Sequence, residues 1–282
     1  MTRPADCYAL AAATRAERPR LPFSVGGRVV GSVAADEAGV LAGFAELEVG
    51  ADGVALTVPA DQRDATLARI NTTLRDAGRL LGWRDELFPL YDPDTLEVRA
   101  RFERAAARYW GTLTLGAHAT GWVAGADGRP AALWIAQRSF SKSTDPGLHD
   151  NLIGGGVADG QTPEQTLLRE AWEEAGLRPE DLAPRRPGSV LRTARDVREG
   201  LQHELIHCWD LELPAGLVPQ NQDGEVHAFR LLPLDQALAL ASTAAMTVDA
   251  ALVTLDFALR HGLLDNAALQ TRLAPLRVGT AA

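Results

Sequence analysis

Two cysteines in 282 residues, Cys7 and Cys208, are too few and too far apart for a disulfide framework, and the pair fits a reducing compartment. No stretch approaches the roughly 20 apolar residues that a membrane-spanning helix needs. No run of Lys or Arg occurs, and the formal charge is −9 with a pI near 5.2, which argues against a nucleic-acid backbone or an anionic membrane surface as partner. Internal repeats and low-complexity linkers are also missing. The stretch Tyr8 to Thr14 is short, alanine-rich and flanked by Asp6 and Arg15, so it reads as an amphipathic helix rather than a leader. The expectation is a cytoplasmic protein that handles small molecules.

What is present is enough apolar residue for a sizeable core, 46% of a chain that is long for one average domain. Two domains are expected: 1–112, a compact α+β unit of uncertain role, and 113–282. In the first, the patterns predict a helix near 5–18, strands near 22–34 and 45–58, a helix near 61–80 and a helix over 98–110. The acidic stretch 35–43 and the turn Tyr91-Asp92-Pro93-Asp94 punctuate it. In the second, strands are expected at 112–123 and 131–138 around a Gly125-Ala126-Asp127-Gly128 turn. Later strands follow near 188–196, 202–213 and 225–232, then helices near 234–242 and 248–262. This order suits a mixed sheet with helices on both faces.

The most informative stretch is Gly154 to Leu177, GGGVADGQTPEQTLLREAWEEAGL. Thr162 can cap a helix with its hydroxyl, Pro163 presets φ at the first helical position, and Gln165 completes a capping box. Gly176 is placed to end the helix in the left-handed region. At 100° per residue from Glu170, Glu174 falls at about 40° and Glu173 at about 300°, while Leu167, Leu168, Ala171, Trp172 and Ala175 span roughly 60° to 200°. Three glutamates in so short a span repel one another unless a cation sits among them. Hard oxygen ligands suit Mg²⁺ or Mn²⁺ rather than zinc.

These residues resemble the Nudix hydrolases, whose box runs Gly, five residues, Glu, seven residues, then Arg-Glu-apolar-x-Glu-Glu-x-Gly-apolar. Gly155, Arg169, Glu170, Ala171, Glu173, Glu174, Gly176 and Leu177 match, and Gln161 stands where the pattern has its first Glu. The resemblance implies an α/β/α sandwich with a mixed sheet, preceded here by the smaller α+β unit. It implies a P–O–P hydrolase with Glu170, Glu174 and the Gly154 carbonyl as Mg²⁺ (or Mn²⁺) ligands, Glu173 as a further or water-mediated ligand, and Arg169 as an orienting partner. Further strings match the Nudix domain fused to thiamin pyrophosphokinase in some eukaryotes: Gly82 to Pro89, Leu133 to Ser139, Lys142, Pro146-Gly147, Asp150-Asn151, Asp223 to Val226, Asp256-Phe257 and Arg260 to Gly262. That subfamily resemblance implies conversion of thiamin diphosphate, especially oxidised or damaged analogues, to monophosphates. The alternatives are hydrolysis of another nucleoside diphosphate derivative, or a binding or scaffold domain that has lost turnover, for which Gln161 is the motive. An isomerase on a related fold lacks an obvious nucleophile or base pair.

Around the box, Arg138 and Lys142 are the nearest basic side chains and can meet phosphate oxygens or serve as surface charges. Glu225 and Asp223 sit in a turn opening a late strand, Glu225 being the stronger candidate for a catalytic carboxylate. Glu164 reads as a complement to the helix dipole. His149 reads as structural, and His203 and His207 fall on a strand, which makes a zinc pair improbable. Trp110, Trp122, Trp134 and Phe140 can stack on a ring or fill the core. Expected partners are a small diphosphate substrate, no nucleic acid and no membrane, with a homodimer left open.

Overall fold

The computed structural model describes residues 8–281. Helix α1 (Tyr8–Ala12) precedes the hairpin β1 (Arg20–Val25) and β2 (Arg28–Ala34), the short α2 (Ala38–Leu41), and strands β3 (Leu47–Gly50) and β4 (Gly53–Leu56). These strands form one sheet in the order β2-β1-β4-β3, with β1 and β4 parallel. Helix α3 (Arg63–Asp76) sets Leu67, Ile70 and Leu74 into the same core as Phe23, Val25, Val54 and Trp110. The two predicted strands of this region are each split by a tight turn into two. At the first of these turns, Gly26 and Gly27 adopt φ of 59° and 74°, a conformation that side chains with a Cβ resist.

The helix expected over 98–110 is a correction. Residues 87–91 (β5, Leu87–Tyr91) and 98–103 (β6, Val98–Glu103) pair as an antiparallel hairpin, and only the four-residue α4 (Ala107–Trp110) is α-helical. Val98-Arg-Ala-Arg-Phe-Glu alternates, so Ala100 and Phe102 bury opposite Leu90 and Phe88. Period-two burial against a partner strand outweighs the helix preference of Ala and Arg. Trp110 then stacks on Phe23 with ring centroids 4.3 Å apart and donates its indole N–H to the buried Asn71 at 2.8 Å.

The second sheet holds β7 (Leu113–Ala124), β8 (Pro130–Arg138), β9 (His149–Asp150), β10 (Ile153–Gly156), β11 (Arg186–Val197), β12 (Gly200–Glu212), β13 (Val226–Pro233) and β14 (Arg277–Thr280). Its path is β13-β8-β7-β12-β11-β14, with β10 paired to β7 and β9 to β8. The β7–β12 contact is parallel and the other pairings are antiparallel, so the sheet is mixed. Strand β7 is buried along nearly its whole length because both faces are covered.

Helix α5 (Pro163–Ala175) packs Leu167, Ala171 and Ala175 against Ala117, Ala119 and Trp209 on one face. On the other lie α6 (Leu234–Ala241), α7 (Val248–Arg260) and α8 (Ala267–Leu273). Helix α1 joins this second face, with Ala9, Leu10 and the following Ala13 packed into the α7 core. Trp172, placed on the apolar arc of α5 by its spacing, is half exposed.

Under α7, Asp256 is fully buried and accepts from Ser189 Oγ (3.0 Å), Arg277 Nε (2.6 Å) and Arg260 Nε (2.7 Å). Arg260 turns its two remaining nitrogens on Asp210 at 2.5 and 2.7 Å. The network ties α7 to β11, β12 and β14. Asp256→Ala leaves Arg277 without its buried counter-charge and Arg260 with Asp210 alone, and is expected to cost about 3–5 kcal/mol. Urea denaturation of the variant checks this, and a cost under about 1 kcal/mol contradicts it.

Candidate active site

The α5 helix begins as its sequence dictates. Thr162 Oγ1 accepts from the Gln165 N–H at 3.1 Å, the Gln165 side chain accepts from the Thr162 N–H at 2.9 Å, and Gly176 closes the helix at φ 65°. This phase turns Glu170 and Glu174 inward against β10, whose residues 154–156 are all glycine. Glu174 Oε2 accepts from the Gly154 N–H at 2.9 Å. A Cβ at Gly155 would lie 2.1 Å from Glu170 Oε1, so only glycine lets the carboxylate lie there.

Both carboxylates are buried, while Glu173 on the flank is partly exposed. Burial pushes the Glu170 carboxyl well up, and Arg169 counters this only in part. Burial and the Glu170 charge together push Glu174 up. The chain's own cations hold the cluster. Arg169 donates to Glu170 (2.8 Å) and Glu173 (2.6 Å), and Lys142, the one lysine of the chain, lies 2.5 Å from Glu225 and 3.6 Å from Glu174. For Glu225, burial raises the carboxyl but the Lys142 hydrogen bond and charge outweigh it, leaving it below the ordinary range.

Among the described residues no three His, Cys, Asp or Glu side chains converge at metal-ligand spacing as they stand. The donor chemistry nevertheless fits a hard divalent cation: two buried, mutually repelling carboxylates, two more carboxylates beside them, and the carbonyls of a glycine strand.

All of these groups but Glu174 line a cavity of about 380 Å³. Glu170, Glu173, Glu225, Asp223, Arg138, Lys142 and Gly154 to Gly156 are at one end of it. Arg138 spends its donors on Asp150 (2.8 Å) and the Thr144 carbonyl (3.0 and 3.3 Å), so it anchors the loop that carries Lys142. Asp223 accepts from the Glu225 N–H at 2.8 Å and so shapes the turn.

The other sequence candidates lie elsewhere. Glu164 pairs with Arg185 on the surface, and His149 bonds the Ala245 carbonyl. His203 and His207 sit four residues apart on β12, about 13 Å, too far to share an ion. Trp110, Trp122 and Trp134 are core residues, and Phe140 is exposed against His227.

Sequence reasoning missed the wall contributed by the first region. Gly82, Arg84, Glu86 and Phe88 alternate along the approach to and start of β5, and all four line the cavity with Arg104. Arg104 lies over the Phe88 ring at 5.1 Å, donates to Glu86 at 2.7 Å, and reaches to 3.3 Å from where a Gly156 Cβ would be. The run Gly82 to Pro89 carried a signal as an upstream match, with nothing to say that it faces the box. Also missed were His118, Gln202, Glu204 and Asp249, which line the same cavity, His118 beside Gly154.

Gln161 has a visible task. Its amide oxygen accepts from Thr166 Oγ1 (2.9 Å) and Arg169 Nε (3.4 Å), which steadies the guanidinium that clamps Glu170 and Glu173. A carboxylate can accept the same two bonds. Gln161→Glu is therefore expected to hold the wild-type urea midpoint, while Gln161→Ala loses about 1 kcal/mol. Equal midpoints for all three proteins would contradict this role.

Burial, and then the Arg192 charge, lower His203 to about 4. The unfolded chain protonates this imidazole near its ordinary value of 6.5, whereas the folded one resists until near 4. Stability from this residue is present above that ordinary value and is lost as pH falls toward the folded one. Expected is an acid loss of about 2 kcal/mol that His203→Gln flattens, read from urea midpoints between about pH 7 and 4. Parallel acid losses in wild type and variant would contradict it.

Residues 114–251 match the NUDIX domain family, and residues 6–114 match DUF4743, a domain of unknown function. Nudix hydrolases 20 and 24 of Arabidopsis thaliana, both named as chloroplastic, are each 37% identical over 206 residues. The matches cover 72% of this chain and 54% and 56% of those proteins, so the chain spans about half the length of the curated relatives it matches. The crystal structure of DR0079 from Deinococcus radiodurans aligns with 61% of this chain and 99% of its own at 25% identity, with a TM-score of 0.46. Among the described residues no helix is long and apolar enough to cross a membrane. The glycine strand, the capped glutamate helix and the mixed sheet agree with the match of residues 114–251 to the NUDIX domain family.

Proposed function

We propose that the protein is a Mg²⁺-dependent diphosphohydrolase that cleaves a P–O–P bond, with thiamin diphosphate or its oxidised and damaged analogues as substrate and a monophosphate and phosphate as products. The observation that carries the reaction class is the burial of Glu170 and Glu174 against a glycine strand, beside a cavity lined by Glu173, Glu225 and basic side chains that include Arg104, Lys142 and Arg169. Substrate identity rests on the resemblance of the flanking strings.

Glu170, Glu174, Glu173 and the Gly154 carbonyl would hold the cation. When bound, it neutralises diphosphate oxygens and lowers the pKa of a coordinated water. Lys142 and Arg104 face the same space and can bind non-bridging phosphate oxygens, Arg104 being held in aim by Phe88 and Glu86. Glu225, kept below the ordinary carboxylate range, is ionised at neutral pH and can accept a proton from the attacking water once Lys142 turns to phosphate. Arg169 keeps Glu170 and Glu173 in register. Gln161 preserves that register, so its departure from the box pattern leaves the acidic cluster intact.

The test is release of monophosphate and phosphate from thiamin diphosphate, its oxidised analogues, ADP-ribose and nucleoside triphosphates. Turnover of the thiamin set is expected to need Mg²⁺, to stop with EDTA, and to fall on the order of 100-fold or more in Glu174→Gln. Turnover confined to other diphosphates discards the thiamin assignment, and tight binding without turnover of any discards the hydrolase.

A further inference from the structure

Two arginines that precede β7 in the chain line the cavity with most of their donors unspent. Among the described residues, Arg104 gives Nη1 to Glu86 at 2.7 Å, while its Nε and Nη2 meet no acceptor. The Phe88 ring, 5.1 Å from centroid to guanidinium carbon, still holds the group in place. Arg104 Nη2 stands 3.3 Å from where a Gly156 Cβ would lie, at the edge of the glycine strand. Arg84 is looser. Its Nη1 lies 3.6 Å from Glu225 Oε1, beyond hydrogen-bond length, and its Nη2 donates to Ser143 Oγ at a long 3.4 Å. Arg84 Nε meets no acceptor among the described residues.

The backbone that carries the two side chains is well anchored. Glu103, buried at the end of β6, accepts from the Arg84 N–H and from the Ala105 N–H, each at 3.1 Å and through the same Oε1. The Arg104 N–H in turn donates to the Glu86 carbonyl at 2.8 Å. One buried carboxylate thereby fixes the starting points of both arginines relative to each other. Next to Arg84, Asp85 takes φ 57° and accepts from the Trp83 indole at 2.7 Å, and Arg75 covers that ring at 4.6 Å. A non-glycine residue in the left-handed region costs free energy and persists where its surroundings fix it. An anchored backbone under guanidinium groups with open donors suits an anion receptor, because the ordering cost is met on folding and the hydrogen bonds are kept for the ligand.

The two arginines reach different parts of the box. Arg84 approaches the Lys142–Glu225 pair, and Arg104 approaches the glycine strand. Burial raises the Glu225 carboxyl, and Lys142, Arg84 and Arg104 in that order draw it down, so all three cations act on one carboxylate. A planar fork offers two parallel N–H groups to the non-bridging oxygens of a phosphate, which a lone ammonium cannot do.

We infer that Arg84 and Arg104 form a diphosphate clamp supplied from outside residues 114–251, each holding non-bridging oxygens of one phosphate. The region that matches DUF4743 then completes the active site as well as bracing it. The inference rests on the diphosphohydrolase reading and adds to it the second arginine, the shared Glu103 anchor and the source of both.

Calorimetry with methylenediphosphonate in the presence of Mg²⁺ tests the clamp apart from turnover, because the P–C–P link resists hydrolysis. Wild type is expected to bind it, with affinity lowered about tenfold or more in Arg84→Ala and in Arg104→Ala while the urea midpoints hold. Should alanine at position 104 lower the midpoint, Arg104→Lys, which keeps the charge and loses the fork, carries the test with a loss of about threefold or more. In turnover assays both alanine variants are expected to raise KM about tenfold or more for whichever diphosphate is hydrolysed. Arginine-dependent binding without turnover of any diphosphate supports the clamp and retires the hydrolase reading. No binding by wild type, or affinity and KM that both variants keep within about twofold, overturns the clamp, and turnover that persists then leaves the hydrolase standing.

Discussion

The close approach of α5 to the glycine strand is the contact on which the rest of the structure depends. Gly155 removes the side chain that would hold the helix away, Glu170 moves into that space, and Glu174 accepts from the Gly154 N–H. Two carboxylates in a low-dielectric pocket are unfavourable together unless cations answer them. The neighbourhood is built accordingly: Arg169 one residue away on the helix, Lys142 from the loop after β8, and Arg104 from the preceding region. Each of these needs its own support, from Gln161 to Arg169, from Arg138 and Asp150 to the Lys142 loop, and from Phe88 and Glu86 to Arg104.

Residues before β7 are thus part of the cavity. Arg84, Glu86, Phe88 and Arg104 come from the region that matches DUF4743, and α1 from the same region packs beneath α7. The region grips the rest of the chain at the cavity, along β11 and β12, where Arg20 meets Asp196 and Arg108 meets Gln202 and Glu199, and in the core behind the sheet. This wall comes from outside residues 114–251 and meets the box at Gly156, and folds vary their ligands by such additions while keeping their chemistry.

Legibility in the sequence followed locality. The capping box at Thr162, the left-handed Gly176 and the inward phase of Glu170 and Glu174 depend on residues within a few positions of one another, and each was readable. The strand at 98–103 was not, because Ala and Arg favour a helix locally and only the partner strand at 87–91 decides otherwise. Part of the cavity lining was unreadable for the same reason. Glu204, Asp249 and His118 lie on three elements, and no spacing links them. The run Gly82 to Pro89 stood between these cases: its resemblance marked it, yet the direction it faces follows only from the β5–β6 hairpin.

The use of lysine at one position among so many arginines fits this electrostatic plan. Arg169 and Arg138 act as fixed braces, where a planar fork with several donors suits two simultaneous acceptors. Lys142 bridges Glu174 and Glu225 with a single point charge on a flexible stem. In the proposed reaction its partners change, since the glutamates turn to the cation and phosphate oxygens enter. An ammonium can follow that exchange by rotating its stem, whereas a guanidinium bonded in two directions would have to break both bonds at once. Residues that must hold still at this site are arginines, and the one that must change partners is the lysine.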